Sequence, residues 1–129
     1  MDFKDTKAIY LQIADYVCEQ ILMKRWKENE RILSVRELGV NLEVNPNTVL
    51  RGYEFLQNKD IIMNKRGIGY FAAEDAIMKI KTYKKQEFIE NELPTLVKLL
   101  QMLDMDLNEL ETLIKQVNFH NKKEVDLVK

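Results

Sequence analysis

Two helix starts follow one another closely between Ser34 and Gly69, and nothing else in the 129-residue chain constrains its fold so tightly. Ser34 can accept from the backbone N–H of Glu37, while the Glu37 carboxylate reaches back to the N–H of Ser34, which makes a capping box. Val35, Leu38 and Leu42 then recur on one helical side. Asn45 is a strong N-cap residue, and Pro46 falls at the first helical position, where its missing N–H costs nothing. Val49, Tyr53 and Leu56 follow at helical spacing and predict one buried stripe. Two short helices joined by a short turn form a helix-turn-helix, whose second helix can lie in a DNA major groove.

The polar residues at the start of that second helix, Asn45, Asn47, Thr48 and Arg51, are its groove-facing candidates. Free backbone N–H groups there also suit phosphate oxygens. Downstream, Ile61-Ile62-Met63 and Tyr70-Phe71-Ala72 read as strands. Between them Asn64-Lys65-Arg66-Gly67-Ile68-Gly69 makes a tight basic hairpin tip. A hairpin after a helix-turn-helix is a winged helix, with Lys65, Arg66 and Gly67 placed to approach DNA. On spacing alone two capped helices can equally be plain core helices, and a Lys-Arg-Gly turn an ordinary solvated loop.

The ordered set of motifs resembles the GntR family of bacterial transcriptional repressors. The matching residues are Tyr10 and Gln12-Ile13, then Ser34-x-Arg36-Glu37-Leu38, then Val44-Asn45-Pro46-Asn47-Thr48-Val49. Arg51, Tyr53, Leu56, Gly67-x-Gly69 and Phe71 complete it, over about residues 8–73. The resemblance implies DNA contact by Ser34, Arg36, Asn45, Asn47, Thr48, Arg51, Lys65, Arg66 and Gly67. Relatives carry glycines and a Leu-Pro-Ser turn before the first of the two helices. Here Lys24, Asn29 and Leu33 occupy those places, a departure that bears on the shape of the turn. Leu50, beside Arg51, stands where relatives often have a longer polar residue; leucine can contact a thymine methyl or simply pack.

Charge narrows the mode of binding. The formal net charge is −1; residues 1–73 hold 11 Lys+Arg against 10 Asp+Glu, and residues 74–129 hold 9 against 11. Binding must therefore rest on a local patch (Lys4, Lys7, Arg36, Arg51, Lys65, Arg66), with modest affinity from one copy. A winged helix used as a protein-interaction module is the alternative that this weak charge leaves open.

The flanking chain completes the expected architecture: mainly α with a small β-hairpin, an N-terminal winged helix-turn-helix over residues 1–73 and a short C-terminal helical dimerisation region over 74–129. Residues 1–7 read as frayed. Ile9, Ile13, Val17 and Ile21 mark a core-facing first helix to about Arg25, with Trp26 and Ile32 tucked beneath it. A helical pattern from Glu74 should kink or break at Leu93, because Pro94 lacks a donor. Leu96 to Leu103 is apolar on nearly two faces. Asp106 and Glu109 start a last amphipathic helix through Leu107, Leu110, Leu113, Ile114 and Val117, and residues 118–129 read as a loose tail. This is more apolar surface than a lone hairpin can bury. Either a second copy covers it or the helices fold back on the winged helix.

The C-terminal part resembles the YtrA-like subfamily, through Phe88-Ile89-x-x-Glu92-Leu93-Pro94-x-Leu96 and Leu103. The resemblance implies a dimerisation region, to which Phe88, Leu93, Leu96, Leu100, Leu103, Leu107, Leu110 and Ile114 are assigned. It also implies repression at a palindromic operator, two reading heads about one helical turn apart, and control of transporter genes. The partners expected are double-stranded DNA and a second copy, with a small-molecule effector left open and no membrane.

Other chemistry lacks its residues. His120 is the one histidine, Cys18 the one cysteine, and no metal-ligand cluster, phosphate loop or nucleophile elbow is present. Neither catalysis, a cofactor nor a metal is expected. Met1–Lys7 is charged and lacks the apolar core of a signal peptide, so a cytoplasmic location is the default.

Overall fold

The computed structural model describes residues 7–128, with side chains described for residues 7–118. Helix α1 spans Ile9–Leu22, α2 Val35–Leu42 and α3 Pro46–Asn58. Strands β1 (Ile62–Lys65) and β2 (Gly69–Ala72) form an antiparallel hairpin, and α4 (Ala76–Glu87), α5 (Leu93–Met102) and α6 (Leu107–Val128) follow. The chain divides into a first compact unit ending at Thr82 and a second beginning at Tyr83. Ala76 and Ile80 are fully buried, so the first unit runs past residue 73 and takes in the opening turns of α4.

Both expected helix starts form as local hydrogen bonding dictates. The Glu37 N–H donates to Ser34 Oγ at 3.0 Å, and the Ser34 N–H donates to Glu37 Oε1 at 2.8 Å. Those bonds from Ser34, the backbone one first, hold the exposed Glu37 carboxyl below its ordinary range. The Asn47 N–H donates to Asn45 Oδ1 at 2.8 Å, with Pro46 opening α3. The core of the unit gathers Ile13, Val17 and Ile21 of α1, Leu38 of α2, Val49, Tyr53 and Leu56 of α3, and Ile61, Ile62 and Ala72 around the hairpin. Gly52 lets α1 and α3 touch: a Cβ there would lie 2.9 Å from the Tyr10 carbonyl oxygen. Ile32 is buried, and Trp26 meets the Tyr16 ring of α1 edge-on at 6.3 Å, in keeping with their expected place beneath the first helix.

The segment before α2 is more than a connection. The Asn29 N–H donates to the Ala72 carbonyl at 2.9 Å, the Ala72 N–H to Glu30 at 3.0 Å, and the Ile32 N–H to Tyr70 at 2.9 Å. Residues 29–32 thus line the free edge of β2, with Arg31 bridged to Phe71, and β2 is covered on both sides.

Four helices end in one way. After α1, α2, α3 and α5 the chain turns through a residue of positive φ, Lys24 (62°), Glu43 (55°), Asp60 (60°) and Asp104 (55°). The next N–H then reaches back five residues: Arg25 to Gln20, Val44 to Gly39, Ile61 to Leu56 and Met105 to Leu100, all at 2.9–3.0 Å. This is the Schellman arrangement, which glycine ordinarily closes. Lys24 and Asn29 (φ 63°) both hold the left-handed conformation that glycine adopts most readily. Lys24→Gly and Glu43→Gly should each stabilise the unit by about 0.5–1 kcal/mol, because the left-handed strain relieved exceeds the added chain entropy of glycine. Thermal melts check this, and a lowered Tm would show these residues to be unstrained.

One expectation for the second unit needs correction, and another takes a particular form. The interruption expected at Leu93 is a change of winding, because α4 ends at Glu87 and α5 begins at Leu93. Residues Phe88–Glu92 form a π-helical turn that leads directly into α5, with Pro94 inside its first turn. The wider turn supplies backbone bonding that spans the position of the missing donor. Residues 118–128 are helical where a loose tail was expected, since α6 continues to Val128. The sequence past Asp106 holds no glycine or proline to stop it. The start of α6 is as expected, with the Glu109 N–H donating to Asp106 Oδ1 at 2.8 Å. Among the described residues no helix is long and apolar enough to cross a membrane.

Candidate nucleic-acid interface

The polar residues singled out in the sequence fall on the outer surfaces of α2, α3 and the hairpin. Arg36 is exposed on the first turn of α2, Asn45 and Asn47 are exposed at the start of α3, and Thr48 is half-buried behind them. The oxygens of Ser34 and Asn45 accept the capping hydrogen bonds, which leaves Ser34 its hydroxyl proton and Asn45 its amide donors for any outside partner. Gly67 turns the hairpin tip with φ 80°, and Arg66 and Ile68 stand exposed on either side of it. Lys4 lies outside the described residues, and Lys7 is held by Asp15, which removes it from the free cations.

Two cations are held on aromatic rings. The Arg51 guanidinium lies 4.2 Å from the centre of the Tyr10 ring, and the Lys65 ammonium 4.2 Å from that of Phe71. Both remain exposed. Such stacking leaves the charge available while limiting the side chain's freedom. Tyr10 and Phe71 entered the sequence argument only as matches, since neither contact is local in sequence. Arg31 was passed over altogether. It flanks the hairpin, and its charge acts on Glu37 at the start of α2.

Polarity is graded along α3. Its N-terminal end carries amides and Arg51, whereas Glu54 is exposed further along, and its charge adds to the burial that raises the Tyr70 hydroxyl. Beyond the helix lies an open cleft lined by Asn58, Asp60, Glu74 and Asp75. Lys79 is tied there to Asp75 at 3.3 Å and to the Asp60 carbonyl at 3.2 Å. An anion is favoured at the first end of α3 and repelled at the second.

Comparison with known proteins identifies this arrangement. No protein-family model matches the chain. It is 36% identical over 90 residues to the HTH-type transcriptional regulator YhcF of Bacillus subtilis (strain 168), covering 68% of this chain and 74% of the relative. It is 30% identical over 118 residues to the HTH-type transcriptional repressor YtrA of the same organism, covering 92% of this chain and 90% of that one. A crystal structure described as a GntR-family transcriptional regulator, from Bacteroides thetaiotaomicron, is 41% identical, with 88% of this chain and 99% of that one covered at a TM-score of 0.76. The chain belongs to the GntR family of transcriptional regulators. Its match to YtrA over nearly the full length of both places it with the YtrA-like members. This GntR protein is a DNA-binding regulator built on a winged helix-turn-helix, and β1 and β2 are its wing. Family membership decides against the protein-interaction alternative.

Proposed function

We propose that this GntR protein represses transcription by binding a palindromic operator as a symmetric homodimer. The observation that carries the dimer is the surface of the second unit. No described side chain from Tyr83 to Asn118 is buried, although Phe88, Ile89, Val97, Leu103, Leu107 and Ile114 are large and apolar. Among the described residues α5 and α6 do not pack face to face within the chain. A helical run with so much exposed apolar surface needs a partner, and a second copy is the commonest one for such a chain. Phe88, Leu93, Leu96, Leu100, Leu103, Leu107, Leu110 and Ile114 are the residues that would meet it. Repression is supported by the name of the YtrA relative. Control of transporter genes follows from the YtrA-like resemblance, and any small-molecule effector would act through the same dimer.

Each reading head would dock with α3 in the major groove. Asn45, Asn47, Thr48 and Arg51 face base edges and phosphates, Ser34 and Arg36 lie on the adjoining backbone, and Lys65, Arg66 and Gly67 reach from the wing. The test is a titration of duplex DNA from upstream of the protein's own gene at two salt concentrations, with mass followed by light scattering. Steeply salt-sensitive binding by a dimer is the expected result. A monomer, or binding indifferent to salt, would refute the proposal. Arg36→Ala and Arg51→Ala should each weaken operator binding by about 1–3 kcal/mol with unchanged melting. Normal binding by both variants would refute this docking.

A further inference from the structure

One face of the wing gathers two cations on either side of β2. Directly opposed residues of an antiparallel pair share a face, as do residues two apart on one strand. Lys65 opposes Gly69, Met63 opposes Phe71, and Arg31 bridges to Phe71 from the other edge. Arg31, Gly69, Phe71, Met63 and Lys65 therefore share the outer face, while Ile32, Ile62 and Ala72 turn inward and are buried. Arg31 and Lys65 flank β2 on its two sides. Between them Gly69 lets the Arg31 side chain lie flat on the strand: a Cβ there would stand 2.9 Å from Arg31 Nε, and the φ of 138° excludes most other residues. The Lys65 ammonium already leans inward over the Phe71 ring of the same strand.

Strands two apart in a sheet lie roughly 9–10 Å apart, a gap that an arginine and a lysine leaning inward close to the width of one phosphate. Neither cation is neutralised. Arg31 and Lys65 make no ion pair among the described residues. Glu37, on which the charge of Arg31 acts, is committed to the Ser34 cap. Arg31 also stands just before α2, so it extends the cationic surface from the wing towards Arg36. Arginine is the side chain best suited to hold a phosphate through paired N–H donors.

We propose that Arg31 and Lys65 close on one backbone phosphate of duplex DNA on the outer face of the wing, making Arg31 a DNA-contacting residue of the wing. The assignment rests on the docking of the winged helix described above. The probes are a duplex selected by the wild-type protein from a random pool and a scrambled duplex of the same length, titrated across a salt series. Arg31→Gln should weaken binding to both duplexes alike, roughly fivefold at 0.15 M salt, and flatten the salt slope by about 0.9. Arg31→Lys should keep the slope, and melting followed by circular dichroism should be the same for all three proteins. Because the two cations would hold one phosphate, Arg31→Gln combined with Lys65→Gln should lose less than the product of the single losses. Wild-type protein that binds neither duplex would overturn the docking itself. Wild-type protein that binds while Arg31→Gln matches it in affinity and slope would overturn this assignment alone. A loss confined to the selected duplex, or strictly multiplicative losses, would also overturn the shared phosphate.

Discussion

Ile114→Asp is expected to leave a folded monomer and to weaken operator binding by about 10²–10⁴-fold. Ile114 is 48% exposed in the single chain, so an aspartate there is solvated and α6 keeps its helix. In a dimer the same position would be covered. Leu107, Leu110, Ile114 and Val117 recur at three- and four-residue spacing along α6 and lie on one face. Burying a carboxylate in such a seam costs several kcal/mol per charge, and two copies would each bear it. The loss of DNA affinity follows from geometry, because two linked heads convert the second binding event into an intramolecular one and a monomer forfeits that gain. Light scattering beside a DNA titration reads both quantities. A variant that remains dimeric and binds with undiminished affinity would remove α6 from the interface.

The second large effect falls on Tyr53. Its side chain is 0% exposed, and its hydroxyl donates to the Leu33 carbonyl at 2.6 Å. The ring meets Tyr70 edge-on at 4.8 Å. One residue therefore ties α3 to the turn before α2 and to β2, and burial drives its hydroxyl far above the ordinary phenol range. Tyr53→Ala should cost about 3–5 kcal/mol, through lost apolar contact and the cavity left behind. That is of the order of the whole stability of a unit this size, so the variant should be largely unfolded at ambient temperature. Tyr53→Phe keeps the ring and loses the hydrogen bond, a cost of about 1–2 kcal/mol. Denaturant melts of the two variants separate packing from hydrogen bonding. Equal costs would mean that the hydroxyl alone holds the junction.

The parts of the interface that the sequence made legible are those governed by residues within four of one another. Ser34 with Glu37 and Asn45 with Pro46 announce α2 and α3 because a cap is satisfied locally. Gly67 beside Arg66 announces the wing for the same reason. The ring contacts of Arg51 and Lys65 were not legible, since they depend on α1 approaching α3 at Gly52 and on the pairing of β1 with β2. Arg31 was hidden because a single bridge has no alternation to reveal it. At Lys24 and Asn29 the absence of glycine suggested an altered turn, yet both residues hold positive φ, and at Lys24 the backbone bond from Arg25 to Gln20 outweighs the local strain. Pro94 marked where the α winding is interrupted but not the form it takes, because no local residue pattern announces a π-helical turn.

That π-helical turn has a consequence for choice of partner. A π turn accommodates one residue more than an α turn, and one residue of an α-helix corresponds to about 100° of rotation. The direction faced by Leu93, Leu96 and Leu100 is thus set by the residue count between Phe88 and Glu92, independently of which residues they are. Deleting one residue there would restore ordinary winding and swing the whole leucine row by roughly a quarter of a circle, with its composition untouched. Two regulators of identical apolar content but different count at this turn would present mismatched rows to each other.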